Sequence, residues 1–158
     1  LSYMQSIRSI EDLFQLARET HYVLLTTERV IVDRAVAPRV GARPGEAWFR
    51  VTGMRWDKPG GTPICYIQSF VPLRYAAAVK EFPTVRGALY AYLEEKSGEA
   101  IEDVIQEITA VPMPDAAIKA LGLESGSAAL LVLRRYVTKS GTLIASFNWH
   151  RRSGRAHV

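Results

Sequence analysis

The stretch EITAVPMPDAAIKALGLESGSAALLVLRRYVTKSGTLIASFNW, Glu107 to Trp149, decides the fold. It opens on an apolar strand start at Ile108 to Val111, and Pro114 then begins a short helix that Gly122 closes. Proline is tolerated in a helix's first turn, where its missing N–H would have no partner anyway, and glycine just past the end takes the left-handed conformation cheaply. Two β-runs follow, Ala129 to Thr138 and Thr142 to Trp149, joined by a turn at Lys139-Ser140-Gly141. The whole reads as strand, helix, strand, hairpin.

The unit occurs twice. Gly41-x-x-x-Gly45-x-Ala47 lies 81 residues before Gly122-x-x-x-Gly126-x-Ala128, and each precedes a β-run. Gly61-Thr62-Pro63-Ile64 lies 80 residues before Gly141-Thr142-Leu143-Ile144, so the hairpin turn and its returning strand also repeat. Two copies of one supersecondary unit predict a single sheet with approximate internal two-fold symmetry.

At 158 residues, with 48% hydrophobic and 23% charged side chains, the chain is long enough for one domain with a substantial core. No apolar run approaches the roughly 20 residues of a membrane span, and the N-terminus lacks a signal-peptide pattern. Cys65 is the sole cysteine, which excludes an internal disulfide and fits a reducing cytoplasm. The net charge of +4 is scattered except for the terminal cluster His150-Arg151-Arg152-Ser153-Gly154-Arg155, so the domain is not read as a DNA-binding part.

In chain order, Ser9-Ile10-Glu11-Asp12 starts a helix whose Ile10, Leu13, Phe14, Leu16 and Ala17 form one apolar stripe. Strands are predicted over Tyr22 to Val32 (interrupted at Thr26 to Arg29), Ala47 to Asp57, Pro63 to Val71 and Ala100 to Val111. A helical turn fits within Arg34 to Val40, and a helix over Val85 to Lys96 has Val85, Leu89, Tyr92 and Leu93 on one face. Strands outnumber helices and are joined by hairpins, which predicts an α+β domain: one antiparallel sheet with helices packed on one face.

No catalytic motif is present. The three histidines lack metal-pair spacing, no Gly-x-Ser-x-Gly elbow occurs, and no Gly-rich phosphate loop is found, so neither metal nor cofactor is expected. Arg50, Arg55, Arg134 and Arg135 stand out because an arginine inside a β-run is costly to bury without an anionic or carbonyl partner.

The order Ile108-Thr109-Ala110, Ala116 to Gly122, Gly126-x-x-x-Leu130-Leu131-x-Leu133-x-Arg135 and Gly141-x-Leu143-Ile144 resembles the UTRA effector-binding domain of GntR-type transcriptional regulators, HutC subfamily. The first half agrees through Met54-Arg55, Gly61-x-Pro63-Ile64-x-Tyr66, Val71-Pro72, Ala88-Leu89-Tyr90 and Leu93, so the match runs from about Thr20 to Arg155. The resemblance implies a chorismate-lyase-like fold enclosing a small-molecule pocket, a cytoplasmic homodimer, and operator DNA as a partner through a winged helix-turn-helix outside this chain. Residues 1–8 would then be the end of an interdomain linker and 9–158 the effector domain.

Where phosphosugar-binding members carry Arg-x-Arg, this chain reads Gly53-Met54-Arg55; the third-strand acid is replaced by Ile67, the helix-start Ser by Ala88, and the last-strand acid by Ala145. Sugar hydroxyls left unpaired would each cost about 1–3 kcal/mol. The resemblance therefore implies an effector that is a small, mostly apolar carboxylic acid facing Arg55, helped by Ser69 or Thr26. The alternatives are a ligand-free dimerisation module and a chorismate-lyase-like enzyme. The second is disfavoured because Ile67 and Ala145 stand where the reaction would need acids.

Overall fold

The computed structural model describes residues 20–82 and 88–152. Six strands form one sheet: β1 (His21–Ile31), β2 (Ala47–Trp56), β3 (Pro63–Pro72), β4 (Asp103–Pro112), β5 (Ala128–Thr138) and β6 (Gly141–Arg151), in the order β1-β2-β3-β6-β5-β4. Every neighbouring pair is antiparallel. The order is two three-stranded meanders meeting at β3 and β6, which is the symmetry the spaced glycines predict. Gly41 and Gly122 share a left-handed φ (81° and 66°), as do Gly45 and Gly126 (85° and 84°), so each repeat ends its helix and turns into its next strand the same way.

The helices expected on one face divide between both. Helix α1 (Ala37–Val40) and helix α4 (Asp115–Leu121) follow the first strand of each repeat. Ala37 and Val40 pack with Trp48, Phe70 and Phe147, and Ala117 and Leu121 pack with Met54 and Tyr66. On the other face, α2 (Ala76–Lys80, preceded by a 3-10 turn at Leu73–Tyr75) and α3 (Leu89–Ser97) place Val79 and Leu93 against Tyr22, Ile67 and Ile144. Met54 and Arg55 are consecutive, as are Tyr66 and Ile67, and successive strand residues point to opposite faces. A period-2 reading of six strands leaves apolar side chains on both sides, and both need cover.

The helix predicted from Ser9 and the start of the one predicted from Val85 lie outside the described residues. Strand β1 runs through the predicted break; the disturbance at Thr26 is a register shift between Leu24 and Thr26. Leu93, Leu143, Val51, Val71 and Val132 are fully buried, each contributing about 1.5–3 kcal/mol. Strand β4 is an edge and is exposed along most of its length, Ile105 and Ile108 included.

Candidate functional site

Alternation brings Arg55 of β2, Ile67 and Ser69 of β3, Ile144, Ser146 and Asn148 of β6, and Arg134 and Tyr136 of β5 onto the face beneath α3. Tyr22 from β1 and Ala88, Leu89 and Tyr90 at the start of α3 complete the wall of a cavity of about 50 Å³. That is room for one or two waters. Tyr90 and Tyr136 stack at 4.4 Å between centroids and 9° between planes, joining α3 to the sheet.

Arg55 donates to Thr20 Oγ1 at 2.8 Å, and its guanidinium lies 5.3 Å from the centroid of Tyr22, its cross-strand neighbour. The Tyr22 ring continues over Gly53: a Cβ built there would stand 2.6 Å from Tyr22 Cε1. Only a glycine leaves that space. The Tyr22 hydroxyl is buried with no partner among the described residues.

Arg134 is 6% exposed. Its Nε donates to Gln106 Oε1 at 2.8 Å, while one of its terminal nitrogens is buried with no acceptor among the described residues. Neither Arg55 nor Arg134 has a carboxylate partner among those residues, whereas Arg39 pairs with Glu107 and Arg50 with Glu28. Ser69 and Ser146 share a hydrogen bond of 2.8 Å, and Asn148 Nδ2 donates to the Val132 carbonyl at 2.9 Å.

Burial sets the protonation states. It lowers the pKa of Arg55, and it raises those of the Tyr22 and Tyr136 phenols, with the arginines opposing. The buried Cys65 thiol is pushed up to about 12 and stays protonated. His150, which pairs with Cys65 across β3 and β6, is pushed down to about 3, first by burial and then by Arg134 and Arg55. Two cations therefore stand among neutral donors, with no acid in the wall.

Of the site residues read from the sequence, Arg55, Ile67, Ser69 and Ala88 line the cavity, and Gly53 lies beneath the Tyr22 ring. Ala145 does not: it sits on the opposite face with Phe70 and Phe147. Strand β6 presents Ile144, Ser146 and Asn148 instead, and a one-residue miscount along a strand reverses its face. Thr26 is exposed beyond the β1 register shift and also lies outside the cavity. Tyr22, Tyr90, Arg134, Tyr136, Ser146 and Asn148 were not assigned to the site from sequence; counting in twos from Ile144 finds both β6 members, and Arg134 already stood out as an arginine within a β-run.

A family model described as the UTRA domain matches residues 15–152. The chain belongs to the UTRA domain family. No curated protein matches it. Among solved structures, this UTRA domain is similar to the effector domain of PhnF from Mycobacterium smegmatis, with a TM-score of 0.72 at 14% identity, covering 88% of this chain and 87% of that one. It is also similar to a GntR-family transcriptional regulator from Bacillus cereus, with a TM-score of 0.68 at 16% identity, covering 87% and 94%. Against PhnF itself from M. smegmatis the TM-score is 0.70 at 13% identity, covering 92% of this chain and 64% of that one. At these identities the likeness establishes the fold. Among the described residues no helix is long and apolar enough to cross a membrane, and no group of three His, Cys, Asp or Glu could hold a metal ion.

Proposed function

We propose that this UTRA domain is the effector-sensing and dimerisation part of a GntR-type transcriptional regulator of the HutC subfamily, and that its effector is a small, mostly apolar carboxylic acid. The observation that carries this reading is the pair Arg55 and Arg134, both on one cavity and both without a carboxylate partner among the described residues. A buried guanidinium is held at a cost unless an anion satisfies it, and an arginine fork matches a carboxylate in geometry as well as charge. Ile67, Leu89 and Ile144 supply an apolar body to the same cavity.

The cavity is smaller than any such acid, so the acid enters by displacing side chains, and Tyr90 makes α3 the element that responds. Binding then shifts the population between two arrangements of the domain. In the full regulator those arrangements would differ in how a dimer presents winged helix-turn-helix heads to operator DNA. The 64% span of PhnF supports a further segment of that kind. For the dimer, the exposed edges β1 and β4 are the surfaces open to isologous pairing.

The cavity's small volume favours a second reading, a ligand-free dimerisation module. One experiment separates them: thermal shift of the chain against aromatic and aliphatic carboxylic acids and phosphosugars, in wild type and Arg55→Ala. An acid at one hundred times its Kd stabilises by about 2.7 kcal/mol, a rise of several degrees. The sensor reading requires that rise with an acid and its loss in Arg55→Ala. A rise with phosphosugars alone overturns the acid, and no rise with any compound favours the dimerisation module.

A further inference from the structure

The strand registers relate the two arginines by a local two-fold. Ile67 of β3 and Asn148 of β6 face each other at the centre of the sheet. Two residues before Ile67 is Cys65, whose partner on β2 is Arg55; two residues before Asn148 is Ser146, whose partner on β5 is Arg134. One strand further out, Tyr22 faces Arg55 and Gln106 faces Arg134. Arg55 and Arg134 thus occupy equivalent positions in the two halves of the repeat, although the sequence offset of the spaced glycines does not align them.

Their Cα atoms are set diagonally across the cavity floor. Three strand spacings and four residues of rise separate them, roughly 19 Å, and both side chains reach inward from opposite corners to the same cavity. Between them lies Ile67, 5% exposed, with Asn148 across from it on β6. Each corner carries a donor without an acceptor among the described residues: the Tyr22 hydroxyl beside Arg55, and a terminal nitrogen of Arg134 itself. A monoacid at Arg55 leaves the buried Arg134 charge without an anion, at the same cost as before binding.

We propose that the effector is a short dianion, most simply a dicarboxylic acid, with one carboxylate at Arg55 and Tyr22, the other at Arg134, and an apolar middle over Ile67. This rests on the acid-sensing reading given above and adds a second acidic group to it. The two arginines then set specificity by length: the spacer of the diacid must span from one to the other.

The test is a matched series on the 158-residue chain: butyrate against succinate, valerate against glutarate, hexanoate against adipate, and benzoate against the three phthalates, by thermal shift and calorimetric titration. At least one diacid binds tenfold or more tighter than its matched monoacid, and the preference has an optimum in length. Arg134→Gln weakens the diacid at least fivefold more than its matched monoacid, so the preference collapses, and Arg134→Lys, which keeps the charge, retains part of it. Tyr22→Phe weakens both members of a pair alike. Equal affinity of mono- and diacids overturns the second anionic subsite and leaves the acid sensor standing. Equal weakening of both by Arg134→Gln overturns the assignment of that subsite to Arg134, and no binding of any acid to the wild type overturns both readings.

Discussion

Replacing Gly53 by alanine tests whether Tyr22 lies where the site requires it. The φ of Gly53 is outside the left-handed region, so alanine adds no backbone strain, and the whole effect comes from the added methyl group. That methyl would stand 2.6 Å from Tyr22 Cε1 and 2.5 Å from its Cζ, well inside van der Waals contact. Tyr22 has little room to yield: it is 3% exposed and packs edge-on against Phe82 at 5.8 Å. Overpacking of this kind costs about 1–3 kcal/mol, and alanine recovers about 0.4–1 kcal/mol by restricting the unfolded chain. The net loss is about 1–2 kcal/mol, a fall in Tm of roughly 2–8 °C for a chain of this size. Calorimetric melts of wild type, Gly53→Ala, Tyr22→Ala and the double variant close a cycle. With the Tyr22 ring gone, Gly53→Ala is neutral or stabilising by up to about 1 kcal/mol, so the coupling between the positions is the full overpacking cost, about 1–3 kcal/mol. An equal effect of Gly53→Ala with and without the ring would refute the reasoning.

Two further outcomes follow from the same face of the sheet. Arg134→Met replaces a buried cation lacking a carboxylate by an apolar chain of similar length, so urea melts of the ligand-free domain show stability unchanged or raised by up to a few kcal/mol; a loss above 2 kcal/mol would mean that the Gln106 bond outweighs the buried charge. For His150, the folded pKa of about 3 lies below the ordinary value near 6.5, so as pH falls the unfolded chain takes up the proton first. The stability tied to neutral His150 is present in full above pH 6.5 and is lost between 6.5 and 3, with a ceiling of about 1.4 kcal/mol per pH unit that the half-buried ring's contact with solvent lowers. Melts at pH 6.5 and 5 show this slope in wild type and a flatter one in His150→Asn; parallel slopes would show that the imidazole is solvated.

The fold was legible because its punctuation is local. The glycines that close α1 and α4 and turn into β2 and β5 need left-handed backbone, so their spacing carries the repeat, and the repeat carries the order of the sheet. Helix α2 was passed over because Ala76–Lys80 is one short turn with no side-chain cap to mark it. The division of helices between faces was missed because α1 and α4 are too short for their apolar residues to declare a side. Of the residues that line the cavity, Arg55, Ile67 and Ala88 are reached from the sequence through the family resemblance, and Ser69 as a helper to Arg55. Ala145 and Thr26 lie outside the cavity: Ala145 faces the other side of β6, and Thr26 sits past the register shift of β1, where one residue reverses the face. Tyr22 and Tyr136 were out of reach, since what brings them to the cavity is a neighbour on another element: the space above Gly53 on β2 for one and the ring of Tyr90 on α3 for the other.

The most direct measurement is NMR of the arginine Nε–Hε groups during titration with the carboxylic acid that raises Tm most. An anion held in the cavity shifts the Arg55 resonance saturably, with the same Kd as calorimetry, while Arg39, paired with Glu107 at 2.8 Å on the surface, stays in place. An acid that stabilises the chain and leaves Arg55 unmoved would contradict an effector site built on this arginine.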